Sequence, residues 1–291
     1  MESYRIGVDI GGTFTDIVFL GNKGNLLIKK VASTPEDYSK SVIKGISEGI
    51  NELNINSSNI SEINHGFTVA TNAILEGKGE KTALITTKGF RDILEIARIR
   101  TPRLYDLYYQ KPTPIIERKL RFEIDERINF RGEILKELDY KSLKLITQKI
   151  QSEKIQSIAI CLLHSYANSK HELEIANYLS SQIKNINLSI SSQILPEMRE
   201  YERTSTTAIN AYIRPVVKDY LENLNNQLSK LGFKVPLTIM QSNGGLSPVT
   251  LTIDKPIFSI ESGPAAGVVG AFHLGNHIGS ENLMTFDMGG T

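Results

Sequence analysis

The chain has 291 residues, 40% hydrophobic and 22% charged, and its 33 basic and 32 acidic side chains leave a formal net charge of +1. That balance excludes an intrinsically disordered chain and supplies no broad basic field for gripping a phosphodiester backbone, so nucleic acid is not expected as a partner. The length favours two lobes, because single cores stop growing beyond ~250 residues. The single cysteine, Cys161, sits in an apolar run and reads as a buried thiol in a reducing, cytoplasmic setting. No apolar run approaches the ~18 residues of a membrane span.

In chain order, alternation predicts strands over Tyr4 to Asp9, Phe14 to Leu20 and Leu26 to Val31, joined by glycine-containing turns. Thr34-Pro35-Glu36-Asp37 starts a helix running to about Leu53, with Thr34 as its cap. A strand follows over Glu62 to Thr68, a short helix over Val69 to Glu76, and a strand over Lys81 to Thr86. Residues 97 to 131, rich in proline, tyrosine and arginine, fit no regular element and read as an insertion or functional loop. Helix Tyr140 to Glu153, strand Ile155 to Leu163, helix Ser169 to Ile183 and strand Leu188 to Ser191 resume an α/β rhythm. The pattern breaks near residues 192 to 199, which divides the chain into domains at 1–191 and 199–291. Helices then run to Gly232, with strands expected over Val235 to Met240, Ile257 to Glu261 and Leu283 to Asp287, and a small-residue helix over Ala265 to His273. The last strand leads into a turn, so the second lobe reads as truncated at the C-terminus, with an unpaired strand edge.

Asp9-Ile10-Gly11-Gly12-Thr13 recurs as Asp287-Met288-Gly289-Gly290-Thr291, each copy entered by an apolar strand. Paired glycines let backbone N–H groups approach phosphate oxygens, and the threonine hydroxyl adds a donor. An aspartate at the strand end suits a hard divalent cation held through its waters. Facing hairpins would place Asp9 and Asp287 on either side of one Mg²⁺–phosphate group, whereas a plain glycine hairpin with an acidic strand end is the alternative reading of either copy alone. Three further clusters invite two readings each. His65, Thr68, Thr71 and Asn72 at a strand-to-helix junction would line a substrate cleft or serve as an ordinary cap. Gln241, Ser242 and Asn243 would be site residues or a hydrogen-bonded turn. Arg98, Arg100, Arg103 and Asp106 would contact substrate or lie in a solvated loop.

The strand, D-x-G-G-T hairpin and second such hairpin after a small-residue helix resemble the phosphate loops of the actin, Hsp70 and sugar-kinase superfamily. More narrowly, Asp9 to Asp16 (DIGGTFTD), His65 to Gly79 (HGFTVATNAILEGKG), Leu104 to Leu107, Leu163 to Tyr166, Glu202 to Thr207 (ERTSTT), Met240 to Leu246 (MQSNGGL) and Glu261 to Gly267 (ESGPAAG) resemble the hydantoinase A / 5-oxoprolinase family across essentially the whole chain. The resemblance implies an α/β, actin/Hsp70-like (ribonuclease-H-like) ATPase fold in two lobes. It also implies ATP-dependent activation of a cyclic amide carbonyl by phosphoryl transfer for ring-opening hydrolysis, with ATP and Mg²⁺ as cofactors and a B-type subunit as partner. Carried onto this chain, Asp9, Asp287 and Glu261 would be catalytic, Asp9 and Asp287 holding the metal through water. Gly11, Gly12, Thr13, Thr15, Asp16, Gly289, Gly290 and Thr291 would bind the nucleotide. His65, Thr68, Asn72, Gln241, Ser242 and Asn243 would face the substrate. Phe67 stands where the family commonly has threonine, a departure that bears on the substrate. Two other readings remain open: a subunit activating a ketone for carboxylation, as in acetone and acetophenone carboxylases, and a nucleotide-gated binding module of the actin and Hsp70 kind.

Overall fold

The computed structural model describes residues 2–34, 36–98 and 105–288. In chain order the elements are β1 (Tyr4–Ile10), β2 (Phe14–Gly21), β3 (Leu26–Ala32), α1 (Tyr38–Leu53), β4 (Ile60–Phe67), α2 (Val69–Leu75), β5 (Thr82–Thr87), α3 (Ile93–Ile96), β6 (Arg121–Ile124), β7 (Arg127–Ile128), β8 (Ile134–Lys136), α4 (Tyr140–Ser152), β9 (Ser157–Cys161), α5 (Lys170–Gln182), β10 (Asn187–Ile190), α6 (Ser191–Ile194), α7 (Glu200–Lys230), β11 (Leu237–Met240), β12 (Leu246–Pro248), α8 (Val249–Asp254) and α9 (Ser262–Ile278). Two compact units result, and they are not sequential halves: one comprises residues 1–78 and 216–291, the other residues 79–215. The sequence pattern breaks near 192–199, but the chain passes from one unit to the other inside the 31-residue helix α7, at Pro215.

The first unit is built on a six-stranded sheet of order β12-β11-β4-β1-β2-β3. Strands β3, β2 and β1 form an antiparallel meander, whereas β4 pairs parallel with β1, and β11 parallel with β4. Alternation along β1 buries Tyr4, Ile6, Val8 and Ile10 and leaves Arg5, Gly7 and Asp9 for the other face. Helix α1 packs on the buried face. Its cap is Asp37, whose carboxylate accepts from the Ser39 N–H at 3.2 Å, so the helix begins three residues beyond the Thr34 cap expected from sequence.

Close approach of α1 to β2 needs glycine. A Cβ on Gly45 would stand 2.0 Å from Ile17 Cδ1, and one on Gly49 would stand 2.2 and 2.4 Å from Cε2 and Cζ of the fully buried Phe19. Gly49→Ala is therefore expected to lower stability by about 1–3 kcal/mol, the overpacking cost exceeding the ~1 kcal/mol of helix propensity that alanine brings. Urea unfolding checks this; a midpoint at or above the parent's would refute it.

The second unit holds a wholly parallel sheet of order β10-β9-β5-β6 and a β7-β8 hairpin. Its core gathers Leu84, Ile85, Ile124, Leu143, Ile150, Ile158, Ile160, Ile175 and Leu179. Beyond the strand ends a buried polar network replaces the apolar core. Glu172 accepts from the Leu162 and Ser192 N–H groups, both at 2.9 Å, and from the Ser191 hydroxyl at 2.6 Å. Glu126 accepts from the Thr87 hydroxyl and from His171 Nδ1–H at 2.8 Å.

Three sequence expectations are corrected. Residues 281–288 form no strand, and Leu283, Met284 and Phe286 are exposed. The apolar pattern was there, but a strand needs a ladder partner, and the described sheet pairs none with it. The expected strand Ile257 to Glu261 is instead a 3₁₀ turn at Pro256–Ser259, consistent with proline at its first position. The helices after Arg203 are one helix, continuous through Pro215. Among the described residues, no helix is long and apolar enough to cross a membrane.

Candidate functional site

The first glycine turn caps the β1–β2 hairpin. Gly11 N–H donates to Phe14 O at 2.9 Å, and Ser33 Oγ–H donates to Gly11 O at 2.8 Å, so Gly11 is committed to the hairpin while Gly12 and Thr13 lie exposed at its tip. Asp9 sits directly opposite Asp16 across β1 and β2, and beside Gly66 across β1 and β4. A Cβ on Gly66 would lie 3.3 Å from Asp9 Oδ1, and one on Gly263 3.4 Å from the same atom. Both glycines thus leave the flank of the carboxylate free. The resulting cleft, of about 270 Å³, is lined by Asp9, Asp16, Gly66, Met240 and Ala266 among others.

Burial raises the pKa of Asp9 above its usual value, and the like charges of Asp16 and Asp287 push it further, with Lys30 opposing. Asp16 is itself held by Lys30 Nζ at 2.8 and 3.0 Å. Like charges facing each other across an antiparallel pair are destabilising, and a divalent cation would relieve this arrangement. Among the described residues, no cluster of three or more metal-ligating side chains forms. The facing carboxylates of Asp9 and Asp16 are hard oxygen donors of the kind that would suit a divalent cation carrying phosphate and water.

Helix α9 reaches the cleft through its start. Ser262 clips it to the end of β4: Phe67 N–H donates to Ser262 Oγ at 3.3 Å, and the Ser262 hydroxyl donates to Phe67 O at 3.2 Å. Glu261, which caps the helix, is held in the left-handed region at φ 58°, ψ 30°, and its N–H donates to Thr71 Oγ1 at 3.4 Å. Such strain in a residue other than glycine persists only where its surroundings enforce it. What α9 presents to the cleft is Gly263 and Ala266, beyond Glu261 in the chain.

The other expected site residues divide. Asp287 lies in the irregular terminal stretch, within electrostatic reach of Asp9. Gly289, Gly290 and Thr291 lie outside the described residues, as do Arg100 and Arg103. Thr15 was expected at the nucleotide, but its hydroxyl is buried and bonded to Ser33 and Ser41 at 3.0 and 2.9 Å, because its position in β2 points it toward α1. His65 was expected to face substrate, yet its side chain is buried, and its pKa is lowered to about 4 by that burial. Neutral His65 donates through Nδ1–H to Val8 O at 3.3 Å and accepts the Tyr220 hydroxyl proton at Nε2, 2.6 Å away. Thr68 donates to Ile10 O at 3.1 Å, and Asn72 Nδ2–H donates to Thr68 Oγ1 at 3.4 Å.

Gln241, Ser242 and Asn243 build a turn. Gln241 N–H donates to Gly245 O at 2.8 Å, Asn243 Oδ1 accepts from Gly245 N–H at 2.8 Å, and the Ser242 hydroxyl bonds Phe258 O and Ile260 O. β11 nevertheless brings Met240, just before that turn, to the Asp9 cleft. Gly66 and Met240 were missed by sequence reasoning, since their closeness to Asp9 follows from strand pairing; the small residues of ESGPAAG were the available signal for Gly263.

Comparison with known proteins gives two family matches: the hydantoinase/oxoprolinase N-terminal region over residues 5–183 and hydantoinase/oxoprolinase over residues 203–291. An uncharacterised protein of Methanocaldococcus jannaschii is 40% identical over 99% of this chain, which spans 42% of that relative. The caprolactamase subunit alpha of Pseudomonas jessenii is 32% identical over the whole chain, again across 42% of its own length. The crystal structure of that ATP-dependent caprolactamase superposes with a TM-score of 0.90, covering 99% of this chain and 42% of the other. Nucleotide-free acetone carboxylase, 24% identical, shares the fold at a TM-score of 0.87 over 96% of this chain and 41% of that one. The mixed α/β chain has the actin-like ATPase fold.

Proposed function

The chain belongs to the hydantoinase/oxoprolinase family, and from that premise we propose that it is the nucleotide-binding part of an A-type subunit that activates a cyclic amide for ring-opening hydrolysis. The observation that carries the reading is the Asp9 cleft: a carboxylate with like-charged neighbours, flanked by two positions where only hydrogen occupies the space of a Cβ. ATP supplies a phosphoryl group that makes an unreactive amide carbon open to water. Asp9, with Asp287, would hold the accompanying Mg²⁺ through its waters, and Gly12 and Thr13 at the hairpin tip would face phosphate. The amide oxygen would take the phosphoryl group as ADP departs; water would then add to the carbon, the ring C–N bond would break with the nitrogen taking a proton, and a second water would hydrolyse the resulting acyl phosphate to carboxylate and phosphate. The chain's own contribution is positioning and charge neutralisation.

A cyclic amide is favoured over a ketone because the 32%-identical relative is named a caprolactamase, whereas acetone carboxylase shares the fold alone. The relative's name as a subunit supports a partner chain, read here as the B-type subunit. Phosphate release from Mg·ATP by the full-length protein, with and without lactams, hydantoins, 5-oxoproline and simple ketones, tests the reading. Stimulation by orders of magnitude with a cyclic amide is expected. A response only to ketone and bicarbonate, or only to a protein partner, would replace it with the carboxylase or nucleotide-gated reading.

A further inference from the structure

The buried face shared by β1 and β4 is apolar at Ile6, Val8, Ile10, Ile63 and Phe67, and His65 stands among them with 1% of its surface exposed. Burying an imidazole there costs free energy that only its hydrogen bonds offset, whereas an apolar side chain would carry no such cost. Both ring nitrogens are in fact engaged. Nδ1 meets Val8 O and Nε2 meets the Tyr220 hydroxyl at 2.6 Å; because a carbonyl only accepts, the single proton of the neutral ring sits on Nδ1. The direction of the relay is thereby fixed, from Tyr220 on α7 through His65 to the Val8 carbonyl. Tilted contacts with the rings of Phe67 and Tyr220, at centroid distances of 5.5 and 5.9 Å, pack the imidazole from its sides.

The relay ends beside the cleft. Val8 O belongs to the peptide that joins Val8 to Asp9, and across the parallel strands Val8 pairs with His65 while Asp9 pairs with Gly66. The His65 side chain therefore ties β4 to β1 one residue before the carboxylate. Its main chain leads directly into Gly66, the glycine whose absent Cβ would stand 3.3 Å from Asp9 Oδ1. A slip of this pair by one residue would set His65 or Phe67 opposite Asp9 and turn the buried face outward. Apolar burial fixes register to whole residues, but holding a functional carboxylate within ~0.5 Å of its working position takes supporting hydrogen bonds of this kind. The ring is neutral at physiological pH, since burial lowers its pKa to about 4, so the relay persists across the neutral range.

We infer that His65 is a positioning residue for the Asp9 cleft: acting through the Val8–Asp9 main chain, with Tyr220 fixing its proton, it sets how tightly the cleft holds a divalent cation and its nucleotide. The ring itself lies on the buried face of the sheet, and the Asp9 side chain leaves β1 on the other. The inference rests on the reading of Asp9 as the holder of the cation, and goes beyond it by giving a buried core residue a share in that affinity.

Two substitutions separate positioning from packing, because each keeps one of the two ring nitrogens' roles. Asparagine places an N–H where Nδ1 stands, one bond beyond Cγ, and so keeps the donor to Val8 O while losing Tyr220. Glutamine places its polar atoms at the distance of Nε2, and so keeps Tyr220 while losing Val8 O. The measurement is binding of Mn²⁺·ADP to the full-length protein, followed by electron paramagnetic resonance, with thermal unfolding of each variant alongside. His65→Gln is expected to weaken binding at least ~10-fold, the scale on which supporting bonds tune metal affinity, and His65→Asn to stay within about 3-fold of the parent. Both should lose similar stability, since both lose the ring. Equal weakening in the two variants, or a glutamine variant that binds like the parent, would overturn the inference. Should the glutamine variant not fold, Tyr220→Phe decides. Removing that one hydroxyl releases the ring and its proton and should weaken binding at least ~3-fold, and unchanged binding would overturn the inference. A parent that binds no Mn²⁺·ADP removes the cation-holding reading of Asp9 and this inference with it; a parent that binds, with both variants falling alike, removes the inference alone.

Discussion

Exchange of Asp9 for asparagine is expected to lower ATP turnover by the full-length protein at least ~100-fold, the scale of loss when a charge-stabilising group leaves a phosphoryl-transfer site. The same change should make the protein more, not less, resistant to heat at neutral pH. Asp9 has a raised pKa in the folded chain, through burial and then through Asp16 and Asp287. A group held above its unfolded value favours folding in its protonated form; that contribution is complete below the usual value of 3.8 and is lost as pH rises through the folded value. Asparagine imitates the protonated form at every pH, so the variant should melt higher than the parent at pH 7 and indistinguishably from it below pH 3.8. Turnover unchanged at saturating divalent cation would remove Asp9 from the mechanism. A variant that melts lower at pH 7 would instead give the carboxylate a supporting role in the fold.

The parts of this architecture that could be read from the sequence are those governed by local rules. The β1–β2–β3 meander, α1, β4 and α2 follow from two-residue and 3.6-residue periods punctuated by glycine, and Asp9 stands out because its motif needs no partner to be seen. What escaped depends on contacts between distant residues. Tyr220 lies 155 positions from His65, and only the folded chain shows that its hydroxyl turns His65 from a cleft residue into a neutral core group. β6 and β7 are four and two residues long, too short to carry a period, so the stretch from Ala97 to Arg131 gave no signal for them. Pro215 reads as a helix breaker, yet α7 runs through it. In the opposite sense, Leu283 to Asp287 carries a strand-like pattern, and its lack of a paired neighbour is a property of the sheet rather than of the segment.

Glu172 is the sharpest case of a residue with no sequence signal and a large expected effect. In the second unit, strands β5 and β9 are neighbours, and the chain leaves β5 for β6 on one side before returning to β9 on the other. In parallel sheets such a switch opens a crevice beyond the strand ends, where backbone N–H groups lose their ladder partners. Glu172 on α5 fills that gap: its fully buried carboxylate receives Leu162 N–H beyond β9, together with the Ser191 hydroxyl and Ser192 N–H at the start of α6. Glu172→Leu would leave these donors unpaired at about 1–3 kcal/mol each, offset in part by removing a buried charge. A net loss of about 3–5 kcal/mol is expected, read as a fall in Tm of about 10 °C. Glu172→Gln should lose roughly half as much, because its carbonyl can keep the Leu162 and Ser191 bonds while its amide faces the Ser192 N–H donor to donor. Thermal and urea unfolding of both variants decides the matter. A leucine variant melting within about 2 °C of the parent would show that water or backbone rearrangement satisfies these donors, and that the carboxylate does not hold the end of β9 to α6.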